Sequence, residues 1–377
     1  MKKPFREHHL RAIFASYDKQ NLPLDLFLKN YFKSNKAIGS HDRKFLAETI
    51  YGMIRWMGLL DYQLNEHTSW ERRSALFATI KNPLDFVQDT SIPLHHRLSF
   101  PLPYFETLVE RLGEEKTQEF CLESNFPAPT TVRANLLKTS RDALLQLWQP
   151  QYPVSPCLHS PSGIVFDKRI NLFGLDEFAK GFFEVQDEAS QLVAGLVQAK
   201  PGELVLDYCS GSGGKTLAFA PPMQNKGQIY LHDIRNASLL EAKKRLNRAG
   251  IQNAQICLAS DKKMDLIKNK MDWVLVDSPC SGSGTLRRNP DMKWKFTKAR
   301  FAELLLMQKE IISEAISYVR PGGKLVYATC SVLPQENEDQ VTFIQNQFPM
   351  ELLSAPFQSF PKKGSMDGFF AAVFEKK

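Results

Sequence analysis

From about Glu184 onward the chain alternates short apolar runs with amphipathic ones, and this alternation restricts the possible folds more than any other feature. The apolar runs are ELVLD (203–207), QIYLHD (228–233), AQICLASD (254–261), MDWVLVDSP (271–279) and GGKLVYATCS (322–331). A strand covered by helices on both faces reads as a continuous apolar run, because both sets of side chains are buried. Between the runs lie helical stretches such as SLLEAKKRLNRAG (238–250) and ARFAELLLMQKEIISEAISYVR (299–320). Strand–helix alternation of this kind predicts an α/β fold with a parallel, doubly wound sheet, here over residues 184–377. GFFAAVFEKK (368–377) reads as a last strand, antiparallel to the rest.

The upstream half has a different texture. Residues 1–95 read as helical: HDRKFLAETIYGMIRWMGLLDYQL (41–64) puts Phe45, Ile50, Met53, Ile54 and Met57 roughly at helical spacing. Residues 96–183 read as a small α+β domain. A helix-rich stretch runs from Pro103 to Glu123, and a strand is expected near 130–137. A helix capped by Thr139 or Ser140 follows, with short strands within 162–174. The net charge of +7 suits a polyanionic partner such as nucleic acid. No stretch approaches the ~20 apolar residues that span a bilayer. MKKPFREHHLR at the N-terminus lacks the apolar run of a secretory signal. The expectation is a cytoplasmic monomer with no membrane partner. The six cysteines form no C-x-x-C pair, and no histidine stands at zinc-ligand spacing, so neither a metal nor a disulfide framework is expected. Cys121, Cys157 and Cys257 read as small buried hydrophobes.

The chemistry-bearing residues fall at strand ends, where a parallel sheet binds its ligands. The first strand ends in Asp207 and opens into CSGSGGKT (209–216). Its glycines permit a tight turn and a close approach to a ligand. A P-loop would need glycine at Cys209, and a dinucleotide fingerprint would need glycine at Thr216, so both patterns fail. The second, third and fourth strands end at Asp233, Asp261 and Asp277. Any one of these could be a helix cap. Together they point to a polar nucleoside site, with Asp233 suited to a ribose diol. Two cysteines also stand at strand ends, Cys280 in DSPCSGSG (277–284) and Cys330 in YATCSV (327–332). A thiol there has little packing value, but its thiolate is a strong nucleophile. TLRRNPDMKWKFTKAR (285–300) mixes Arg287, Arg288 and Lys293 with Trp294, which suits phosphates and unpaired bases, unless it is only a solvated basic loop.

With these residues in view, the chain resembles the RNA (cytosine-5) methyltransferases, and most of all their bacterial small-subunit ribosomal RNA members. The resemblance rests on VQDEASQLVA (185–194), CSGSGGKT (209–216), VDSPCSGSGTLRRNPDMKW (276–294) and PGGKLVYATCS (321–331). HDRKFLAETIYGMIRW (41–56) resembles the helical domain that these enzymes share with an RNA-binding antitermination factor, and TVRANLLKTSR (131–141) resembles their small pre-catalytic domain. The family's usual glycine loop reads C-A-A-P-G-G-K-T; here Ser210, Gly211 and Ser212 replace A-A-P. The resemblance implies a Rossmann-like class I methyltransferase sheet. It implies S-adenosylmethionine held by Cys209, Ser210, Gly211, Ser212, Gly213, Gly214, Lys215, Asp233, Asp261 and Asp277. Cys330 becomes the nucleophile toward carbon 6 of cytosine, Cys280 the group that assists product release, and Asp277 the partner of ring nitrogen 3. Ribosomal RNA is the expected substrate, with transfer RNA as the alternative. A DNA-type enzyme would use the P-C cysteine as nucleophile, and an assembly factor on the same fold would lack catalysis.

Overall fold

The computed structural model describes residues 3–17, 22–65, 69–258 and 263–377. The chain divides into two compact units: Met1–Pro127 with Thr285–Phe301, and Ala128–Gly284 with Ala302–Lys377. The division at Pro127 falls inside the segment 96–183 that the sequence reads as one domain.

The first unit is helical. Helices Lys3–Tyr17, Leu24–Ser34 and Ser40–Arg55 bury Ile13, Phe14, Leu24, Leu46, Ile50 and Met53 in one core. The segment of helical spacing over 41–64 forms two helices, Ser40–Arg55 and Met57–Gln63, because Trp56 leaves helical geometry (φ −105°, ψ 16°). Phe45 does not join the core; it is exposed under the Arg6 guanidinium, 4.4 Å from its ring centre. Likewise the stretch from Pro103 to Glu123 is two helices, Leu102–Leu112 and Glu114–Ser124. Gly113 separates them at φ +81°, a conformation that side chains other than glycine rarely adopt.

The segment expected to meet RNA is built into this unit. Lys293 is 1% exposed, and its Nζ donates to Arg55 O and Asn125 Oδ1, both at 2.8 Å, above the Phe100 ring. Arg287 is 0% exposed, and its carbonyl accepts from Arg55 Nη2 at 2.6 Å. Trp294 donates Nε1 to Ile54 O at 2.8 Å and packs against the helical core. Asp291 Oδ2 accepts from Tyr17 Oη, the Leu24 N–H and Lys295 Nζ. Burial of Arg287 and Lys293 argues against the expectation that they meet phosphates, and Trp294, expected to stack on a base, is half-buried. A buried amine needs acceptors, and a helix end and a side-chain amide supply them to Lys293, whose burial holds it well below the usual lysine range. Arg288 is half-buried.

The second unit holds two sheets. Strands β1 (Thr130–Ala134), β2 (Val154–Pro156), β3 (Gly163–Phe166) and β4 (Phe183–Val185) make an antiparallel sheet in the order β2-β3-β1-β4. It packs on helix Arg141–Trp148, which Ser140 caps by accepting the Ala143 N–H. The larger sheet contains β5 (Leu204–Asp207), β6 (Gln228–His232), β7 (Ala254–Cys257), β8 (Met271–Asp277), β9 (Val319–Thr329), β10 (Met350–Leu352), β11 (Phe357–Gln358) and β12 (Phe370–Lys376). Its order is β10-β12-β9-β8-β5-β6-β7, with β11 beside β12. Strands β5 to β9 are parallel, and β12 is antiparallel to β9, as expected. Neighbouring residues of one strand feed cores on opposite faces: Leu206 and Val274 on one, Val205 and Leu275 on the other. That two-sided burial is why the strands read as unbroken apolar runs. Chain order reverses at β5, whose neighbours are β8 and β6, so a crevice opens at its carboxyl end.

Lys293→Ala removes the only side-chain ammonium reaching Arg55 O and Asn125 Oδ1 among the described contacts. Leaving buried acceptors unsatisfied costs about 1–3 kcal/mol. A urea titration should show that loss, with the exposed control Lys298→Ala close to wild type; equal stability of the two variants would contradict the structural role.

Candidate active site at the strand ends

The glycine loop runs from the end of β5 to helix Thr216–Phe219. Gly211 (φ +53°) and Gly213 (φ +75°) turn it, and a Cβ on Gly213 would meet Ala242 Cβ at 3.3 Å. Ser210 donates its N–H and Oγ to His232 O, which ties the loop to the end of β6. Arg245, on helix Asn236–Ala249, donates to Ser212 O and Oγ and pairs with Glu184. Gln186 donates to Gly214 O. Glu184 of β4, through Arg245, and Gln186 just after the strand thus support the loop from outside. Arg245 escaped the sequence reading because a basic residue on an amphipathic helix looks solvated.

Four expected residues converge around this loop. Asp207 is 1% exposed; its Oδ2 accepts from Thr216 Oγ1 at 2.6 Å, and its Oδ1 has no partner. Burial pushes its carboxyl up to about 7, against 3.8 ordinarily. Asp277 Oδ2 lies 2.5 Å from Lys215 Nζ, so these two share an ion pair across the carboxyl ends of β5 and β8. Asp233 follows β6. Its Oδ2 accepts the Gly211 N–H and its Oδ1 the Arg235 N–H, both at 2.8 Å, and the Arg235 guanidinium lies over both oxygens. Hydrogen bonds from Arg235 and Gly211 outweigh burial and hold its carboxyl below the usual range. The Arg235 side chain is 68% exposed, so this outer partner is exchangeable. Cys209 is enclosed by Asp277, Asp207 and Asp233, and burial with these charges drives its thiol well up. Asp261 lies outside the described residues.

The two strand-end cysteines meet. Cys280 Sγ and Cys330 Sγ are 3.4 Å apart. Their loops are joined around them: Ser278 N–H donates to Ala328 O, Gly284 N–H to Cys330 O, and Gly368 N–H to Gly284 O. A Cβ on Gly284 would lie 1.9 Å from Gly368 O, so only glycine admits this three-way approach. The Cys330 sulfur, then burial, hold the Cys280 thiol protonated, well above the usual thiol range. Cys121, Cys157 and Cys257 are buried. Glu336 and Asn337, fully buried beside the two loops, were not singled out by the sequence. Among the described residues no cluster could hold a metal ion, and no helix is long and apolar enough to cross a membrane.

Residues 194–375 match the family model for the 16S rRNA methyltransferase RsmB/F, and residues 100–172 match the RsmF/B-like ferredoxin-like domain. A "Probable ribosomal RNA small subunit methyltransferase B" of Synechocystis is 32% identical over 88% of this chain and 75% of that relative. The "Ribosomal RNA small subunit methyltransferase B" of Proteus mirabilis is 33% identical over 67% of this chain; the alignment spans 60% of its length. The solved structure of a methyltransferase homolog protein from Pyrococcus horikoshii superposes with a TM-score of 0.65 at 25% identity, covering 79% of this chain and all of that one.

A buried carboxyl with its pKa raised to about 7 carries a pH signature. The folded value lies above the unfolded one. Its stabilising contribution is therefore complete below pH 3.8 and is lost as pH rises through about 7. Asp207→Asn, which keeps an acceptor for Thr216, lacks this loss. The stability of the variant relative to wild type should rise between pH 5 and pH 8 in thermal unfolding. A constant difference would contradict the burial of an acidic Asp207.

Proposed function

This chain belongs to the 16S rRNA methyltransferase RsmB/F family, and from that premise we propose that it methylates carbon 5 of a cytosine in ribosomal RNA, with S-adenosylmethionine as donor and Cys330 as covalent nucleophile. The observation that carries this reading is the 3.4 Å approach of two thiols from neighbouring strand ends, beside a glycine loop ringed by carboxylates. One thiol suffices to add to a ring. A second, held protonated next to it, suits a reaction that must also end the adduct.

The residues present fit the cofactor. Asp207 Oδ1 is a buried acceptor without a partner, and Asp233 holds an exchangeable guanidinium where it could hold a diol. S-adenosylmethionine brings donors for such acceptors, an ammonium and two ribose hydroxyls, and supplies an electrophilic methyl group on a sulfonium. In this reading Asp233 accepts the ribose hydroxyls once Arg235 swings away, and the turns at Gly211 and Gly213 keep side chains out of the cofactor's path.

Carbon 5 of cytosine is a poor nucleophile. The Cys330 thiolate adds to carbon 6, forming a C–S bond and moving the ring π electrons toward carbon 5 and nitrogen 3. In this reading a proton held at the Asp277–Lys215 pair is donated to nitrogen 3, where the negative charge of the adduct builds. Carbon 5 would then take the methyl group, the methyl–sulfur bond breaking so that the neutral thioether leaves with the bonding electrons. With Cys330 engaged in the C–S bond, Cys280 loses the neighbour that keeps it protonated. It gives up its own proton to water and, as the thiolate, takes the carbon 5 proton directly or through water; the electrons of the broken C–H bond restore the ring double bond and expel the Cys330 thiolate. A paired target base has to be flipped out first. In this reading the burial of Arg287 and Lys293 leaves RNA docking to other surfaces.

The two cysteines have opposite roles, and a denaturing gel separates them. Cys330→Ala should abolish methylation and form no adduct. Cys280→Ala should form the adduct, accept the methyl group, stall, and leave a protein–RNA band that depends on S-adenosylmethionine. A band with Cys330→Ala and none with Cys280→Ala would assign the DNA-type mechanism.

A further inference from the structure

Neither strand by itself fixes a distance between two thiols that lie beyond the ends of β8 and β9. Something must hold each cysteine through its neighbours, and two consecutive residues do so. Glu336 ends the short turn Pro334–Glu336, and Asn337 precedes helix Glu338–Gln347; both are 0% exposed. Glu336 Oε1 accepts the Ser281 N–H at 2.7 Å and Gln308 Nε2 at 3.0 Å, and its Oε2 accepts Ser281 Oγ at 2.5 Å. Gln308 Nε2 also donates to Pro279 O at 2.9 Å. The residues on both sides of Cys280 are thereby tied to one carboxylate. Asn337 does the same for the other thiol: its Oδ1 accepts Thr329 Oγ1 at 2.6 Å, and its Nδ2 donates to Ser331 O at 3.0 Å. The Glu336 carbonyl accepts Tyr327 Oη at 2.6 Å, anchoring the dipeptide to β9. Ser331 Oγ lies 2.9 Å from Ser283 Oγ, which links the two loops again.

We propose that Glu336 and Asn337 are positioning residues that set the spacing of the two reactive thiols, Glu336 through the backbone around Cys280 and Asn337 through the residues flanking Cys330. This rests on the reading of Cys280 and Cys330 as the reacting pair. Hydrogen bonds to an ionised acceptor are short and strong, and three donors converging on one carboxylate leave the loop little freedom. The pairing also explains why an acid with three donors is buried here, in a place where it adds nothing to the apolar cores. The charge of Glu336 further disfavours a Cys280 thiolate, in keeping with a thiol that stays protonated until Cys330 is engaged.

The test reads thiol spacing without catalysis, so it stands even if the methyltransferase reading fails. Diamide, a diazene oxidant, takes two hydrogens from a pair of thiols in reach, leaving a disulfide and a hydrazine. In the intact wild-type chain the Cys280–Cys330 link, located by peptide mapping, should form readily. Glu336→Ala and Asn337→Ala should form it about ten-fold more slowly or worse, as expected when reacting atoms lose their alignment. Glu336→Gln, which keeps the shape and one acceptor, should recover most of the rate. S-adenosylmethionine affinity should stay near wild type, since the cofactor loop is held separately. If Glu336→Ala does not fold, Ser281→Ala carries the test: it removes the short hydroxyl bond to Glu336, with the longer contacts to Ser331 Oγ and the Ser283 N–H, keeps the Ser281 N–H bond, and should slow the link several-fold. Linking at the wild-type rate in folded Asn337→Ala together with Glu336→Ala or Ser281→Ala would overturn the proposal. If methylation is absent from wild type while the linking rates behave as described, the functional reading fails and the positioning role survives.

Discussion

A parallel sheet whose first strand lies in the middle must open where its connections diverge. In this chain β5 has β8 on one side and β6 on the other, and the connections after β5, to β6, and after β8, to β9, lead to opposite sides of the sheet. Everything with chemistry follows from that opening. The glycine loop occupies it, Asp233 and Asp277 flank it, and the next strand across brings Cys330 beside Cys280. A residue at a strand end is fixed by the sheet yet free of the ladder, so it combines precise placement with access to a ligand.

Crowding carboxylates into one crevice has an electrostatic cost, and each is met differently. Asp277 is balanced by the Lys215 ammonium, and Asp233 by Arg235 and two backbone N–H groups. Asp207, with one oxygen unpartnered, is driven toward its neutral form. The three acids are therefore not equivalent: one is an ion-pair partner, one an outward acceptor behind an exchangeable arginine, one a buried group sensitive to pH. The thiols divide in a similar way, since the proximity of Cys330 and burial keep Cys280 protonated.

Much of this was legible in the sequence, for physical reasons. Two-sided burial writes itself as apolar runs, so β5, β6, β8 and β9 stand where the runs put them, and Asp207, Asp233, Asp277, Cys280 and Cys330 fall at their ends. The basic segment was misread because a lysine buried on carbonyls and a lysine in water have the same letter. The acceptors that bury Lys293 come from residues 55 and 125, far away in sequence. The break at Trp56 was hidden because neither glycine nor proline stands there in the sequence. Glu336 and Asn337 were overlooked for a related reason: acids and amides beside a helix start read as caps, and only the folded chain shows them facing two cysteine loops.

The central claim is that Cys330 bonds to the substrate base. Small-subunit ribosomal RNA carrying 5-fluorocytosine tests it directly, because fluorine at carbon 5 leaves no proton to remove and the adduct cannot break down. After incubation with S-adenosylmethionine and digestion, mass spectrometry should find the methylated fluorocytosine on the peptide containing Cys330. Attachment at Cys280, or no attachment while ordinary RNA is methylated at carbon 5, would contradict the account.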